Sequence, residues 1–384
     1  MGTTNEFSLG ILGVGNIGTV HLQSALAMPG CTVTAAADMD PAMRDRAREF
    51  GVENVYADYA DLIEAGGVDA VVVALPPSLH ADATVDACEA GIHVFVEKPL
   101  APTLEECDRM LEAAEANGVF LGVDHTIRYQ TEFQKLKERF DSGELGHVPL
   151  STITRINDGP FSPPPATERI PAWQLDADHP GSGVVFDLGT HLFDVLEWFF
   201  GEMEVRHAAT GNQLDLPYED TATVTLESGE TGTFATMHVG YFQWETPPEV
   251  NTEFRLEGIT KTAQASEHVP KQFTAHAAKS ALENVGKRLS GRDVDVFEPT
   301  YYYRAHYEAL KAFVDAVRAG ETPPVDGNAG RRAVELVLDV HRMAAESPDA
   351  ATATEATEAM PDGGEPTPAP AARDETAADE GVDR

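Results

Sequence analysis

The sequence predicts an α/β chain in two parts: a doubly wound parallel sheet of the Rossmann type, then an α+β domain with an open, mostly antiparallel sheet. Three observations lead there. A short apolar strand runs straight into Gly13-Val14-Gly15-Asn16-Ile17-Gly18 and then into a helix. Strands that are apolar throughout alternate with helical segments up to residue 124, as in a parallel sheet covered on both faces. Beyond Gly146 the strands alternate apolar and polar residues, which suits an antiparallel sheet with one solvated face. The 384 residues divide accordingly into 5–124, 125–346 and a tail, 347–384.

The first strand spans residues 7–12. In the turn after it, Gly13 permits a tight bend, Gly15 leaves room for a pyrophosphate, and Gly18 lets helix and strand pack closely. A helix over 17–27 ends at Pro29-Gly30, and its free N–H groups would meet the phosphates, with Asn16 and Ile17 at its start. A second strand, 32–37, is closed by Asp38, about 20 residues past the last glycine, where an acid can accept from ribose hydroxyls. Asp38 also stands where a helix N-cap before Pro41 would. Asp38 and Asp40 would repel a 2′-phosphate, with Arg44 the nearby cation, so NAD is expected over NADP.

Further βα units follow: helix 41–50, strand 55–56, helix 58–64, and the fully apolar strand 68–75. That strand ends in Leu75-Pro76-Pro77-Ser78-Leu79-His80, a turn into helix 81–90. His80 is either a turn residue or a cofactor contact. Strand 92–96 then ends in Glu97-Lys98-Pro99. Pro99 has no N–H and stops the ladder. Glu97 and Lys98 therefore sit at a strand carboxyl end, where open α/β sheets bind ligands. Helix 104–117 and strand 119–123 complete the first sheet.

After Asp124-His125-Thr126-Ile127-Arg128-Tyr129 comes a helix over 133–141. Strands are expected at 148–157, 205–210, 221–227, 231–239 and 253–257. A Pro-rich insertion, 161–179, contains Trp173 and leads to Gly181-Ser182-Gly183 and a helix running to Phe200. Helical spacing places Asp187, His191 and Asp194 on one face. Two acids flanking a histidine on an apolar helix are costly to bury unpaired, so they form a functional site or a satisfied structural network. Residues 259–300 are poorly patterned, and 261–291 read as a surface excursion. Helix 301–319, a turn at 323–330 and helix 331–346 close the domain. The tail is Ala, Thr, Pro, Glu and Asp and cannot offset its ordering entropy, so it is expected to be disordered.

Composition narrows the partners. A formal charge of −37, from 64 Asp+Glu against 27 Lys+Arg, is unsuited to nucleic acid or anionic membrane. Its self-repulsion is screened at molar salt, which points to a halophile's protein. Cys31, Cys88 and Cys107 show neither metal spacing nor a disulfide framework and suit a reducing, cytoplasmic setting. No signal peptide is expected at the start, and the longest apolar run, 184–200, carries four ionisable residues and is no membrane span. No metal-ligand spacing appears along the chain.

Taken together, the glycine turn, Leu75-Pro76-Pro77 with His80, Glu97-Lys98-Pro99, Arg128-Tyr129, Gly143-Glu144-Leu145-Gly146 and the stretch Gly183 to Asp194 resemble the Gfo/Idh/MocA family. Val325-Asp326-Gly327 and the helix after it also match, so the resemblance covers about residues 9–342. The family is named for glucose–fructose oxidoreductase and inositol dehydrogenase. The resemblance implies that the lysine of the EKP motif, Lys98, touches substrate and nicotinamide ribose, and that Asp187 and His191 complete the catalytic set. It adds Leu75, Pro76, His80 and Glu97 to the cofactor side, Arg128 and Trp173 to the substrate side, and a homodimer or homotetramer through the second sheet. Departures from the family's pattern are Gly181-Ser182-Gly183 after Pro180, Gln130-Thr131 after the Arg-Tyr pair, and Asp124-His125.

The expected reaction is NAD-dependent oxidation of a secondary alcohol on a sugar, cyclic polyol or sugar derivative. His191 takes the hydroxyl proton, Asp187 orients its ring, and Lys98 stabilises alkoxide charge. The alternatives are a non-catalytic NAD- and sugar-binding regulator and an NAD-recycling redox glycosidase.

Overall fold

The computed structural model describes residues 6–159, 181–242, 250–268 and 301–346. Trp173, the insertion around it and the acidic tail lie outside the described residues.

Six parallel strands build the first sheet: β1 (Phe7–Leu12), β2 (Cys31–Ala37), β3 (Asn54–Tyr56), β4 (Ala70–Val73), β5 (His93–Val96) and β6 (Leu121–Val123). Their order is β3-β2-β1-β4-β5-β6, so the connection reverses direction between β1 and β4. Open α/β sheets bind ligands at such a reversal, beyond the strand carboxyl ends. All four residues of β4 are buried, as expected of a strand covered on both faces. On one face lie α3 (Tyr59–Ala65), α4 (His80–Glu89) and α5 (Leu104–Asn117); on the other lie α1 (Asn16–Ala27) and α2 (Pro41–Glu49). The caps that start these helices are local. Asp40 accepts from Ala42 N–H, Asp58 from Ala60 N–H, and Thr103 from Glu106 N–H.

After α6 (Thr131–Asp141) the second sheet comprises β7 (Leu150–Asn157), β8 (Met203–Gly211), β9 (Thr221–Ser228), β10 (Phe234–Tyr241), β11 (Val250–Glu257) and β12 (Thr262–His268). Its order is β12-β11-β7-β10-β9-β8; β7 and β10 run parallel and every other pair is antiparallel. One face buries Ile153, Val224, Leu226, Met237 and Phe254 against Phe133, Phe199 and Phe200. The last two belong to α7 (Thr190–Phe200), which follows a π-helical turn, Val185–Gly189.

Two expectations from sequence are corrected. Residues 262–268, read as part of a surface excursion, form β12; its inward positions, Ala263 and Ala265, are too small to give an apolar pattern. The last helix, α9 (Gly327–Glu346), starts four residues before Arg331. Asp326 accepts from the Ala329 N–H, and Gly327 lies so close to Leu111 and Leu121 that a Cβ there would meet them at 2.7 and 2.8 Å. Helix α8 (Tyr301–Ala319) lies far along the chain, yet it packs on the first sheet beside α1, with Phe313 against Phe95 at 5.2 Å between ring centroids. The segment after it follows the edge beyond β6, where Val123 N–H donates to Val325 O.

Candidate active site

The glycine turn between β1 and α1 is shaped by contact. Gly13 has φ +87°, and a Cβ there would stand 2.5 Å from Ala74 O and 3.3 Å from Leu75 Cδ2. A Cβ at Gly18 would stand 1.9 Å from Gly13 O. At Gly15 a Cβ would meet nothing within 4 Å, so this glycine is not required by the protein's own packing. No side chain caps the start of α1, and the buried Oδ1 of Asn16 has no hydrogen-bond partner among the described residues. Asp38, at the end of β2, accepts from Val14 N–H at 2.7 Å and from Asp40 N–H at 2.8 Å. Each oxygen keeps a lone pair for a ribose hydroxyl. Open space at Gly15, free N–H groups at a helix start and an acid at the second strand's end fit a dinucleotide. Arg44 donates to the Asp38 and Met39 carbonyls, so it lies at the same edge.

The ends of β4 and β5 are tied together by His80. Its ring nitrogens lie 2.8 Å from Leu75 O and 3.0 Å from Pro99 O, and burial lowers its pKa. It works here as a strut between the two strand ends. Leu75 and Pro76 border the glycine turn.

At the end of β5, Glu97 and Lys98 point to opposite sides of the sheet. The Glu97 carboxylate accepts from Lys98 N–H at 3.2 Å and meets His21 Nε2 at 2.7 Å. His21 also lies 3.4 Å from Asp124 Oδ2, which His306 Nδ1 approaches at 2.6 Å. The four side chains come from α1, the ends of β5 and β6, and α8, and all are buried. Burial works against the Glu97 anion, yet the His21 hydrogen bond and charge hold its carboxyl at about 2. Burial and the Glu97 charge push Asp124 well above the usual carboxylate range, so the two acids do not ionise together. Burial brings His306 down to about 4. No spacing along the chain announces these four groups as possible ligands. Donor atoms of a tetrahedral metal site with bonds of about 2.0–2.2 Å stand about 3.3–3.6 Å apart, so the 2.6 and 2.7 Å pairs are hydrogen bonds.

Lys98 reaches the other way. Its Nζ donates to Asp187 Oδ1 at 2.7 Å and to Asp187 O at 2.9 Å, leaving one N–H for a ligand. Asp187 lies in the π-helical turn, and its second oxygen accepts from Tyr241 O–H at 2.9 Å, at the end of β10. Partial loss of water around the half-exposed Asp187 carboxyl would raise it, but the Lys98 charge and hydrogen bond outweigh this and hold it below the usual range. Burial and the Asp187 charge push Tyr241 well up, so its hydroxyl keeps its proton. His191 lies one turn on, in α7. Burial, with the Lys98 and Arg155 charges, pushes its pKa well below 6.5, so it is a neutral imidazole. Its Nδ1 has no partner among the described residues. The His125 ring stands edge-on to it, 6.0 Å between centroids, with both of its own nitrogens buried and unpartnered.

Sequence reasoning named Lys98, Asp187 and His191 as one set. The structure joins Lys98 to Asp187 and puts His191 one turn further on. Contrary to the expectation from sequence, Asp187 bonds Lys98 and Tyr241 and does not orient the His191 ring. Helical spacing placed Asp194 on the same helix face. In the structure Asp194 turns instead to Arg128, whose Nε and Nη2 grip its two oxygens at 2.7 and 2.6 Å beneath Trp198. That guanidinium, expected at the substrate, is engaged in a buried ion pair. Tyr241, His125, His21, Asp124 and His306 were not named as site residues; Glu97 was, on the cofactor side, and its carboxylate meets His21 instead. His125 was visible only as a departure from the family pattern, and Tyr241 carries no local signal.

Residues 7–125 match the model of an oxidoreductase family with an NAD-binding Rossmann fold, and residues 133–261 match the GFO/IDH/MocA C-terminal domain. The chain is 28% identical to a myo-inositol 2-dehydrogenase of Thermotoga maritima over 85% of its own length and 93% of the relative's. It is 30% identical to an NADP(+)-dependent D-xylose 1-dehydrogenase of Haloferax volcanii, over 83% and 91%. Among solved structures, scyllo-inositol dehydrogenase of Lactobacillus casei with NAD(H) and scyllo-inositol superimposes with a TM-score of 0.70. At 18% identity, over 88% of this chain and 97% of that one, the likeness is one of fold.

Proposed function

The chain belongs to the Gfo/Idh/MocA family of NAD-binding oxidoreductases, and from that premise we propose that Lys98, Asp187 and His191 catalyse the oxidation, by NAD, of a secondary alcohol of a sugar, cyclic polyol or sugar derivative. The observation that carries this reading is the Lys98–Asp187 contact at 2.7 Å, with the neutral His191 beside it, at the strand ends next to the glycine turn. Bound NAD would accept the hydride at C4 of its nicotinamide. The glycine turn, Asn16, Ile17 and Asp38 would hold the nucleotide, with Leu75 and Pro76 at its edge. His191 takes the hydroxyl proton, since a buried neutral imidazole is a base over the working pH range. The free N–H of Lys98 donates to the oxygen as negative charge grows there. Asp187 positions Lys98, and Tyr241 positions Asp187. Glu97, turned towards His21, fixes the backbone at Lys98.

The test is a panel of polyols and aldoses with NAD and NADP in parallel, in high salt. Steady growth of absorbance at 340 nm with at least one polyol is expected, faster with NAD. No turnover with any member refutes the reading, and turnover without net NADH would favour the recycling glycosidase.

We further propose a homo-oligomer formed through the open face of the second sheet, where Leu150 and Phe234 are paired in register and exposed. Light scattering checks it. We propose a cytoplasmic setting, which the three free cysteines support. No described helix is long and apolar enough to cross a membrane. The charge of −37 supports adaptation to high salt. The expected outcome is a melting temperature that rises by more than about 10 °C between about 0.1 and 2 M KCl, where the screening length shrinks from about 10 Å to below 3 Å. An unchanged melting temperature removes that part of the proposal.

A further inference from the structure

A second charged group lies on the same face of the second sheet as Tyr241. Arg155 on β7 pairs in register with Val239 on β10, and Asn157, two residues on, pairs with Tyr241. Residues two apart on a strand share a face. Arg155 therefore lies on the Tyr241 side of the sheet, two residues along, about 7 Å at the strand rise of about 3.4 Å per residue. The Arg155 charge reaches both Asp187 and His191, lowering the pKa of each.

Arg155 is not a free cation. Its Nη1 donates to Thr252 Oγ1 at 3.2 Å and lies 3.5 Å from Glu267 Oε2 on β12. Glu267 also accepts from Thr252 Oγ1 at 2.8 Å and from Gln130 Nε2 at 3.0 Å. The Arg155 and Glu267 side chains are 15% and 11% exposed, and Arg155 Nε is buried without a partner among the described residues. Arg155, Glu267, Gln130 and His306 line one cavity of about 260 Å³. His306 Nδ1 meets Asp124 Oδ2 at 2.6 Å, and the residue after Asp124, His125, stands edge-on to His191 with 6.0 Å between ring centroids, so this cavity adjoins the Lys98–Asp187–His191 cluster.

We infer that Arg155 and Glu267 form the far wall of the substrate pocket and select a neutral, polyhydroxylated ring whose hydroxyls opposite the reacting carbinol bridge the pair. This rests on the oxidation proposed above and adds what the substrate must carry. A hydroxyl both donates and accepts, so it matches a wall offering guanidinium and amide N–H groups beside carboxylate oxygens. Glu267 already balances the Arg155 charge, so a carboxylated or phosphorylated substrate gains no ion pair here and meets the Glu267 anion. An apolar alcohol leaves both buried charges unpaired with ligand, and sites built to hydrogen-bond hydroxyls reject analogues that lack them.

The experiment compares wild type with Arg155→Met and Glu267→Gln on three kinds of substrate: the polyol best turned over (myo-inositol and D-xylose as first probes), cyclohexanol, and D-glucuronate. NAD affinity is measured separately by fluorescence titration. In both variants KM for the polyol is expected to rise ten- to a hundredfold with kcat within threefold. The preference in kcat/KM for polyol over cyclohexanol falls by the same factor, and NAD affinity stays within twofold. Wild type is expected to prefer the neutral sugars to glucuronate. A purely structural role would depress polyol and cyclohexanol alike, and that result overturns the inference, as does a glucuronate preference. Should Arg155→Met fail to fold, Thr252→Val loosens the same pair and is expected to raise the polyol KM three- to tenfold; an unchanged KM overturns the inference equally. Wild type that oxidises no polyol sinks the oxidation reading itself, whereas turnover with unaltered preference in the variants sinks only this inference.

Discussion

Replacing Asp187 with Ala removes one carboxylate that holds two groups: Lys98 Nζ at 2.7 Å and Tyr241 O–H at 2.9 Å. Hydrogen bonds to charged groups contribute about 1.5–3 kcal/mol each. The two share one carboxylate and are not additive, and Lys98 keeps its 2.9 Å bond to the Asp187 carbonyl. A loss of about 3 kcal/mol follows, which at 1.4 kcal/mol per factor of ten is about a hundredfold in kcat/KM. The side chain is 42% open to the cleft, so its removal leaves no large cavity and the melting temperature moves by only a few degrees. In the proposed reading the glycine turn and Asp38 supply most of the NAD contacts, so the NAD dissociation constant is expected to change far less than kcat/KM. The assay is steady-state NADH formation across pH, with NAD binding followed by fluorescence. Because burial and nearby cations lower the His191 pKa, the acid limb of kcat/KM lies below pH 6.5 in wild type and variant alike. The reasoning is refuted if kcat/KM stays within threefold of wild type, or if NAD affinity falls by the same factor as activity.

Gly15→Ala should leave the melting temperature of the ligand-free protein unchanged, since its Cβ meets nothing, yet weaken NAD binding at least tenfold by filling the pyrophosphate side of the turn. Gly18→Ala should instead cost about 3 kcal/mol of stability in urea, because its Cβ would fall 1.9 Å from Gly13 O. Asp194→Ala strands the Arg128 charge, 16% exposed, and should cost about 3–5 kcal/mol by the same measurement. Acid should destabilise the fold early: His80, His125, His191 and His306 all have pKa values lowered by burial. Stability from a lowered histidine is full above about pH 6.5 and is lost as pH falls through the folded value, about 4 for His306. Asp124 and Glu197, raised in the fold by burial, work in the opposite sense but are outnumbered by the lowered histidines, which also include His93. A denaturation midpoint that is flat between pH 7 and 5 would contradict this.

Much of the first sheet was legible because its signals are local. Glycines at fixed offsets, an acid at a strand end and apolar runs bounded by turns all act through near neighbours, and the helix Leu104–Asn117 was bounded to the residue by Thr103 and Gly118. The trio Lys98, Asp187 and His191 came from motif resemblance, since nothing in a linear pattern says that residues 89 apart touch. Strand β12 escaped because alanine buries as well as leucine when a neighbour is large, but leaves no periodic trace.

By itself the sequence determined the βα order, the nucleotide-binding turn, the acidic charge and the residue types available for catalysis. All of these follow from propensity, turn chemistry and composition, which each residue carries with it. Only the tertiary structure decided which charges meet. It turned Asp194 to Arg128 and Asp187 to Lys98 and Tyr241. It carried His306 from the end of the chain to Asp124, and set Arg155 against Glu267 across three strands. The physical reason is that a buried charge must find its partner wherever the fold supplies one, and that partner is chosen by packing, not by distance along the chain.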